Sequence, residues 1–436
     1  MTLEVLIIGG GVNGLSLARE LAERHGASVA VFNDRGLGTA SRAAAGLLGA
    51  QIEAANLPER LRASVFPLLR EGRVLHEYLD LYARDFVPLG TGYRRSGALH
   101  VALDEAELEA IEARYAWQRE HGVEVVRVSP QIARRLEPSL SSSIAGAVYL
   151  PDEALVDPAL LMLALRRSCQ TLGVRSIEER VLRVDSGGGR VLGVRTNQRT
   201  YAADVVVMAA GGWAAGLEGL PQQFAPIKAL PARTMLLRGE RPLQHVVLSQ
   251  RNYLVPWDNG NVALSSNADD VGAQEDALTT LYAAAAILPT IASRSVWHTR
   301  FGYRPHTPGA LPWLGPTEMD GLFVMTGNVR NGLLLAPTAA ALVADLVDGR
   351  SRTVVEAPLD PAHGATRPDA HGQPSLRSSA PWNRLRAAQP EPKKAWRPRP
   401  SNATPWRNAT TLVDRAEADS RTTATVPAGT RRWPAG

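Results

Sequence analysis

Cysteine is nearly absent: Cys169 stands alone among 436 residues. One thiol excludes a disulfide framework, a cysteine-ligated zinc site and an iron–sulfur cluster within a single chain. Long apolar runs are missing as well. No stretch approaches the ~18 uncharged apolar residues of a membrane span. An export signal is not expected either, since in MTLEVLIIGGG an acid precedes the apolar run and glycines interrupt it. The nine histidines show no metal-ligand spacing, and GxSxG, P-loop and zinc motifs are lacking. A reducing cytoplasm is the expected compartment.

A basic body is also missing. The net charge is +5, yet residues 351–436 hold 14 Lys+Arg against 7 Asp+Glu. The first 350 residues hold 34 Lys+Arg against 36 Asp+Glu, so no basic groove for nucleic acid is expected. Twelve of the 30 prolines also fall after Arg350, without periodicity. That composition predicts a disordered, basic, Pro-rich tail over 351–436. The whole chain is 45% apolar, enough for a large core.

The chain opens as a βαβ unit. Val5–Ile8 reads as a buried strand, Gly9-Gly10-Gly11 as a turn, Leu15–His25 as a helix and Val29–Phe32 as a parallel strand. Leu17, Ala18, Leu21 and Ala22 mark the inner face of that helix. Residues 53–85 and 104–122 read as helical, and Gly92–Ala102 alternates like a strand. A helix over Pro158–Leu172 precedes strands at Val181–Val184, Arg190–Thr196 and Asp204–Ala209. Short alternating strands then dominate Ala225–Ser266, and 333–348 forms an apolar helix. An α/β body carrying a second, mixed or antiparallel sheet is the expected fold class.

Gly9-x-Gly11-x-x-Gly14 follows a strand and opens a helix, the context that a dinucleotide fingerprint requires. The glycines permit a tight turn, a close pyrophosphate and close helix–strand packing. A purely structural glycine turn is the alternative. The second strand should end in an acid for the ribose hydroxyls, but Asn33 stands there, with Asp34 next. An amide offers one acceptor oxygen where a carboxylate offers two.

Further segments follow in order: Ala43-Ala-Ala-Gly-Leu-Leu-Gly-Ala-Gln51, Tyr93-Arg-Arg-Ser-Gly-Ala-Leu99, Asp152-Glu-Ala-Leu-Val-Asp-Pro158, Val205–Trp213, Tyr253-Leu-Val-Pro256, Gly302-Tyr-Arg-Pro305 and Gly327–Pro337. Together with the glycine turn they resemble the FAD-dependent amine oxidases of the D-amino-acid oxidase superfamily, and within it the glycine oxidases of thiamine biosynthesis. The resemblance covers about residues 3–350. It implies a glutathione-reductase-like FAD domain from residues 1–85, 145–220 and 300–350. A substrate domain from 86–144 and 221–299 is expected beside it.

The resemblance implies a noncovalent FAD held by Gly9, Gly11, Val12, Asn13, Gly14, Asn33 and Asp34, with Ala40 and Ser41 near the phosphates. Val181 would meet the adenine. Ala45, Gly46 and Leu47 would lie beside the isoalloxazine; read alone, that stretch is equally a tight helix start. Gly211 belongs to the second FAD-proximal strand. Asn328, Val329, Arg330, Asn331, Gly332, Leu333 and Leu334 would form a nest of N–H groups at a helix start, suited to an anionic ring edge. The family often has His where Asn328 sits.

Arg304, Tyr253 and Arg330 are the candidate substrate ligands. A guanidinium grips a carboxylate with two parallel bonds, while a solvated loop arginine and a half-buried sheet tyrosine are the alternatives. Arg233-Thr234 and Ser265-Ser266-Asn267 depart from the family pattern on the substrate side. Cys169 is expected to be a buried thiol far from the flavin motifs. The implied reaction is oxidative deamination of glycine or another small amine to the oxo acid, ammonia or amine, and hydrogen peroxide, with O₂ as electron acceptor. The chemistry is carried by the flavin, so no catalytic side chain is singled out. A D-amino-acid or amine dehydrogenase with another acceptor and a flavoprotein with little turnover are the rival readings. A homo-oligomer stays open.

Overall fold

The computed structural model describes residues 4–25, 28–34, 39–239, 243–266, 277–308 and 311–350. The expected tail over 351–436 and Asn267 lie outside the described residues. Two compact units emerge from the chain. The first holds residues up to Ser41, Met162–Leu230 and the described chain from Tyr303. The second holds Arg42–Leu161 and Pro231–Gly302.

In the first unit a six-stranded sheet runs in the order Trp313–Pro316, Leu322–Thr326, Val205–Met208, Glu4–Ile8, Ser28–Phe32 and Arg175–Ile177. Every pair is parallel except the first, which is antiparallel. A three-stranded antiparallel sheet (Val181–Gly187, Arg190–Thr196, Thr200–Ala202) accompanies it. Leu6, Ile8, Phe32, Val181 and Val206 share one apolar cluster. The predicted βαβ unit is present, with the helix at Val12–His25. Its inner face is as the periodicity predicts, with Leu17, Ala18, Leu21 and Ala22 all buried.

That helix packs against the C-terminal helix Gly332–Val347. Asn13 bonds Asn328 near their N-terminal ends, and Arg24 Nη1 meets Asp345 at 2.5 Å near their C-terminal ends. The two helices therefore run parallel, with their positive dipole ends on the same side.

Most of an eight-stranded sheet falls in the second unit. Its order is Ser295–His306, Lys228–Arg238, Asn261–Ser266, Asn252–Pro256, Val246–Leu248, Ala98–Ala102, Gly146–Leu150 and Val126–Val128. Val246–Leu248 runs parallel to Ala98–Ala102, while the pairs around them are antiparallel. A parallel junction needs a long crossover, and the chain between Ala102 and Val246 supplies one.

Two sequence expectations are corrected here. The helical stretch 53–85 is two helices, Ala50–Asn56 and Glu59–Ala83. Leu57, before Pro58, takes an extended ψ of 149°, because a proline ring disfavours the helical region in the residue ahead of it. The strand expected over Gly92–Ala102 is confined to Ala98–Ala102. Gly92 and Gly97 both sit at φ +67°, which ends regular pleating.

Candidate functional site

The glycine turn leaves the central strand Glu4–Ile8 of the first unit and enters the helix Val12–His25. Gly9 N–H donates to the Phe32 carbonyl (2.9 Å), and Leu15 N–H to the Gly11 carbonyl (3.0 Å). Gly9 has φ +122°, and a Cβ there would overlap the Ala209 carbonyl. A Cβ on Gly14 would overlap the Gly9 carbonyl, so helix and turn approach as only glycine allows. Ser41 is buried against this turn, and its Oγ accepts the Val12 N–H at 3.0 Å. Ala40 precedes it, half-buried, at the start of the short helix Ala40–Ala43.

Asn33, and not Asp34, lies against the glycine turn. A Cβ on Gly10 would come within 2.6 Å of Asn33 Oδ1, so that amide lies directly against the turn. Asp34 is turned to Arg180, whose Nε donates to it at 2.6 Å. Val181 is buried among Leu6, Phe32 and Val206. Gly211, at φ +61°, opens the short turn Gly211–Gly216, and its carbonyl accepts from Thr326 Oγ1 at 3.2 Å.

The loop before the C-terminal helix carries the strain of this unit. Val329 has φ 37°, the one positive-φ residue other than glycine among the described residues. A β-branched side chain there costs ~1–3 kcal/mol, so the surroundings must hold it in place. Val329 N–H donates to the Pro305 carbonyl (3.1 Å), and Asn331 N–H to the Asn328 carbonyl (2.6 Å). The bond from Val329 to Pro305 joins the segments that carry Arg330 and Arg304, both half-buried. Gly332, Leu333 and Leu334 follow as the first turn of the helix.

Asn328 is 3% exposed. Its Oδ1 accepts from Asn13 Nδ2 at 3.2 Å, and Asn13 Nδ2 also faces the Met325 carbonyl at 3.4 Å. Asn328 Nδ2 and Asn13 Oδ1 are left buried without a hydrogen-bond partner. A buried donor and acceptor left over beside two helix N-termini and a glycine turn fit a cofactor with an anionic diphosphate and hydrogen-bonding edges. The neutral donor set fits such a group better than it fits a bare metal ion, and no metal-holding cluster occurs among the described residues.

Ala45, Gly46, Leu47 and Tyr253 belong to the second unit. Ala45 and Gly46 are buried and Leu47 is half-buried. Gly46 sits at φ +96°, where a Cβ would overlap the Val156 carbonyl. The Gly46 carbonyl accepts the Val156 N–H at 2.9 Å, and Leu47–Leu48 pairs with Ala154–Leu155. Tyr253 is half-buried on the strand Asn252–Pro256, opposite Ser265.

The side chains that hold this strip were not singled out by motif. Trp257 Nε1 donates to the Ala45 carbonyl at 2.9 Å, and Thr234 Oγ1 to the Ala43 carbonyl at 2.5 Å. Glu153 accepts from the N–H groups of Ala50, Gln51 and Ile52. Thr234 and Glu153 lie inside segments flagged by sequence, yet their roles depend on pairing across long separations. Cys169 is buried as expected, and burial pushes its thiol up to about 12. Its expected distance from the flavin motifs is corrected. Its Sγ faces the Leu15 carbonyl at 3.4 Å, one residue past Gly14, because the helix Pro158–Thr171 packs there.

The chain matches the family described as FAD dependent oxidoreductase over residues 4–346. It is 33% identical to glycine oxidase of Geobacillus kaustophilus over 82% of this chain and 96% of that protein. A crystal structure of glycine oxidase from that species superposes with a TM-score of 0.73 at 30% identity, covering 82% of this chain and 98% of that one. Iminodiacetate oxidase of Chelativorans sp. BNC1 gives 0.72 at 28% identity, over 82% and 98%. The bifunctional protein ThiO/ThiG of Synechocystis sp. is 31% identical over 79% of this chain and 52% of its own length. Among the described residues no helix is long and apolar enough to cross a membrane.

Proposed function

The chain belongs to the FAD-dependent oxidoreductase family, and from that membership we propose that it oxidises the amine of glycine or another small primary or secondary amino acid. Similarity to glycine oxidases over nearly their full length carries this reading. The likeness to iminodiacetate oxidase supports including N-substituted glycines. In the net reaction the amino acid loses two electrons and two protons to become an imine. Water then releases ammonia or amine and leaves the oxo acid, while O₂ takes up the electrons as hydrogen peroxide. The ThiO/ThiG relative supports supply of the product to thiamine biosynthesis.

Bound FAD supplies the two-electron acceptor. The chain supplies binding and orientation. Gly9 and Gly14 shape the turn and Gly11 lets the diphosphate approach its backbone at the helix start, with Ser41 fixing the turn through Val12. Asn33 takes the ribose, and the Asn13–Asn328 pair offers its free Nδ2 and Oδ1 to the cofactor. Arg304 grips the substrate carboxylate, with Tyr253 and Arg330 as further donors. Ala45, Gly46 and Leu47 lie beside the ring. A buried Cys169 bonded to the Leu15 carbonyl supports a noncovalent flavin.

The test is a panel of glycine, N-substituted glycines and D-amino acids, with peroxide, oxo acid and ammonia measured in air. Equal release of peroxide and oxo acid from a small amino acid is the expected result. Oxo acid formed without peroxide, only when an artificial electron acceptor is added, would replace the oxidase by a dehydrogenase.

A further inference from the structure

We propose that Glu153 is a positioning residue whose carboxylate fixes the strip Ala43–Ile52 and, through it, the place of the flavin ring. The inference rests on the reading above that Ala45–Leu47 lie beside that ring. Glu153 is 0% exposed. Its Oε1 accepts from Gln51 N–H (2.8 Å) and Ile52 N–H (3.1 Å), and its Oε2 from Ala50 N–H (2.9 Å). Arg95 pairs with the neighbouring Asp152, and Arg73 stands 4.0 Å from that same Asp152 carboxylate while also acting through space on Glu153. A buried carboxyl group is thus held inside the unit by backbone donors of one short segment.

Helix capping alone does not require this. The helices Glu105–Glu120 and Pro130–Leu136 are capped by the residue just before each, Asp104 through Glu107 N–H and Ser129 through Ile132 N–H. The helix Ala50–Asn56 has Gly49 at that position, with no side chain to give. Its cap comes from a residue about a hundred positions away. A distant cap does what a local one does not: it ties the helix start to another piece of chain. Here that piece is Glu153–Val156, which also pairs with Leu47–Leu48 and bonds Gly46. Glu153–Val156 is therefore a template along which Gly46–Ile52 is laid. Trp257 and Thr234 pin the carbonyls of Ala45 and Ala43 at the other end.

The experiment compares wild type, Glu153→Gln and Glu153→Asp as flavin-loaded proteins. Gln puts an NH₂ where an N–H must be accepted, so the strip moves. The expected result is a shifted visible flavin spectrum and reduction potential, with kcat down on the order of tenfold to a hundredfold and KM moving less. Asp keeps both oxygens on a shorter arm and should recover part of each. A lower melting temperature with unchanged spectrum, potential and kcat would make Glu153 a plain cap and overturn the inference. If the Gln variant does not fold, hydrogen exchange on wild type decides. The amides of Ala50, Gln51 and Ile52 should exchange more slowly with FAD bound than in stripped protein, and equal rates would overturn the inference. A wild type that binds no flavin would instead sink the parent reading.

Discussion

Two small-residue segments of this molecule are kept in place by opposite means. Gly9–Gly14 is shaped mainly by contiguous backbone: a strand ends, a helix begins, and the glycines fit because carbonyls of Ala209 and Gly9 leave no room for a Cβ, with Ser41 bonded to the Val12 N–H. Ala43–Ile52 is fixed from outside, by Thr234, Trp257, Val156 and Glu153. The first arrangement is local and brittle. The second is distributed, so each contact should carry part of the load.

Gly14→Ala should give the largest effect, because its Cβ meets a carbonyl inside the βαβ unit itself. We expect a cost of at least about 3 kcal/mol and protein without bound flavin, read as the flavin-to-protein ratio. Stoichiometric flavin in a folded Gly14→Ala protein would break the comparison at its first term.

That contrast also explains what the sequence makes legible. The turn announces itself because strand, glycines and helix are contiguous. The strip does not, since Glu153 and Trp257 reach it from far along the chain. The Asn13–Asn328 pair is equally hidden, although each residue sits in a recognisable motif. The neighbour of Cys169 is hidden for the same reason, because helix periodicity marks a buried face but not what lies across it. The break at Leu57-Pro58, by contrast, follows from proline sterics and is written in the sequence.

The next effect sharpens the second term. Burial pushes the Glu153 carboxyl from the usual 4.5 up to about 7. A folded-state pKa raised in this way stabilises the fold while the group is protonated. The contribution is full below about 4.5 and fades as pH rises through about 7. Glu153→Gln removes that dependence. Its stability relative to wild type should therefore rise between these limits, by up to about 3 kcal/mol, in denaturant titrations at each pH. A parallel pH profile for the two proteins would show that the carboxyl titrates normally.

Trp257→Phe keeps an aromatic ring, though a smaller one, and strips the Ala45 carbonyl of its donor. An unsatisfied buried carbonyl costs about 1–3 kcal/mol, so the protein should fold, bind flavin and melt earlier. Wild-type melting would mean that the strip does not depend on Trp257. Smallest is Asn33→Asp, which restores a second charged acceptor beside the turn. It should tighten FAD by about 1 kcal/mol, roughly fivefold in Kd by flavin fluorescence. Weaker binding would show that the amide is suited to this site.

The central claim is that this fold places a small amino acid for oxidation, with Arg304 gripping its carboxylate. Anaerobic rapid mixing of the flavin-loaded protein with glycine and its N-substituted relatives tests it most directly. The account predicts loss of the oxidised flavin absorbance with a good substrate. Arg304→Ala should lower kcat/KM for that reduction on the order of tenfold to a hundredfold, and Arg304→Lys by less. Protein that carries full flavin yet is bleached by no amine, or an Arg304→Ala variant that reduces as wild type does, would contradict it.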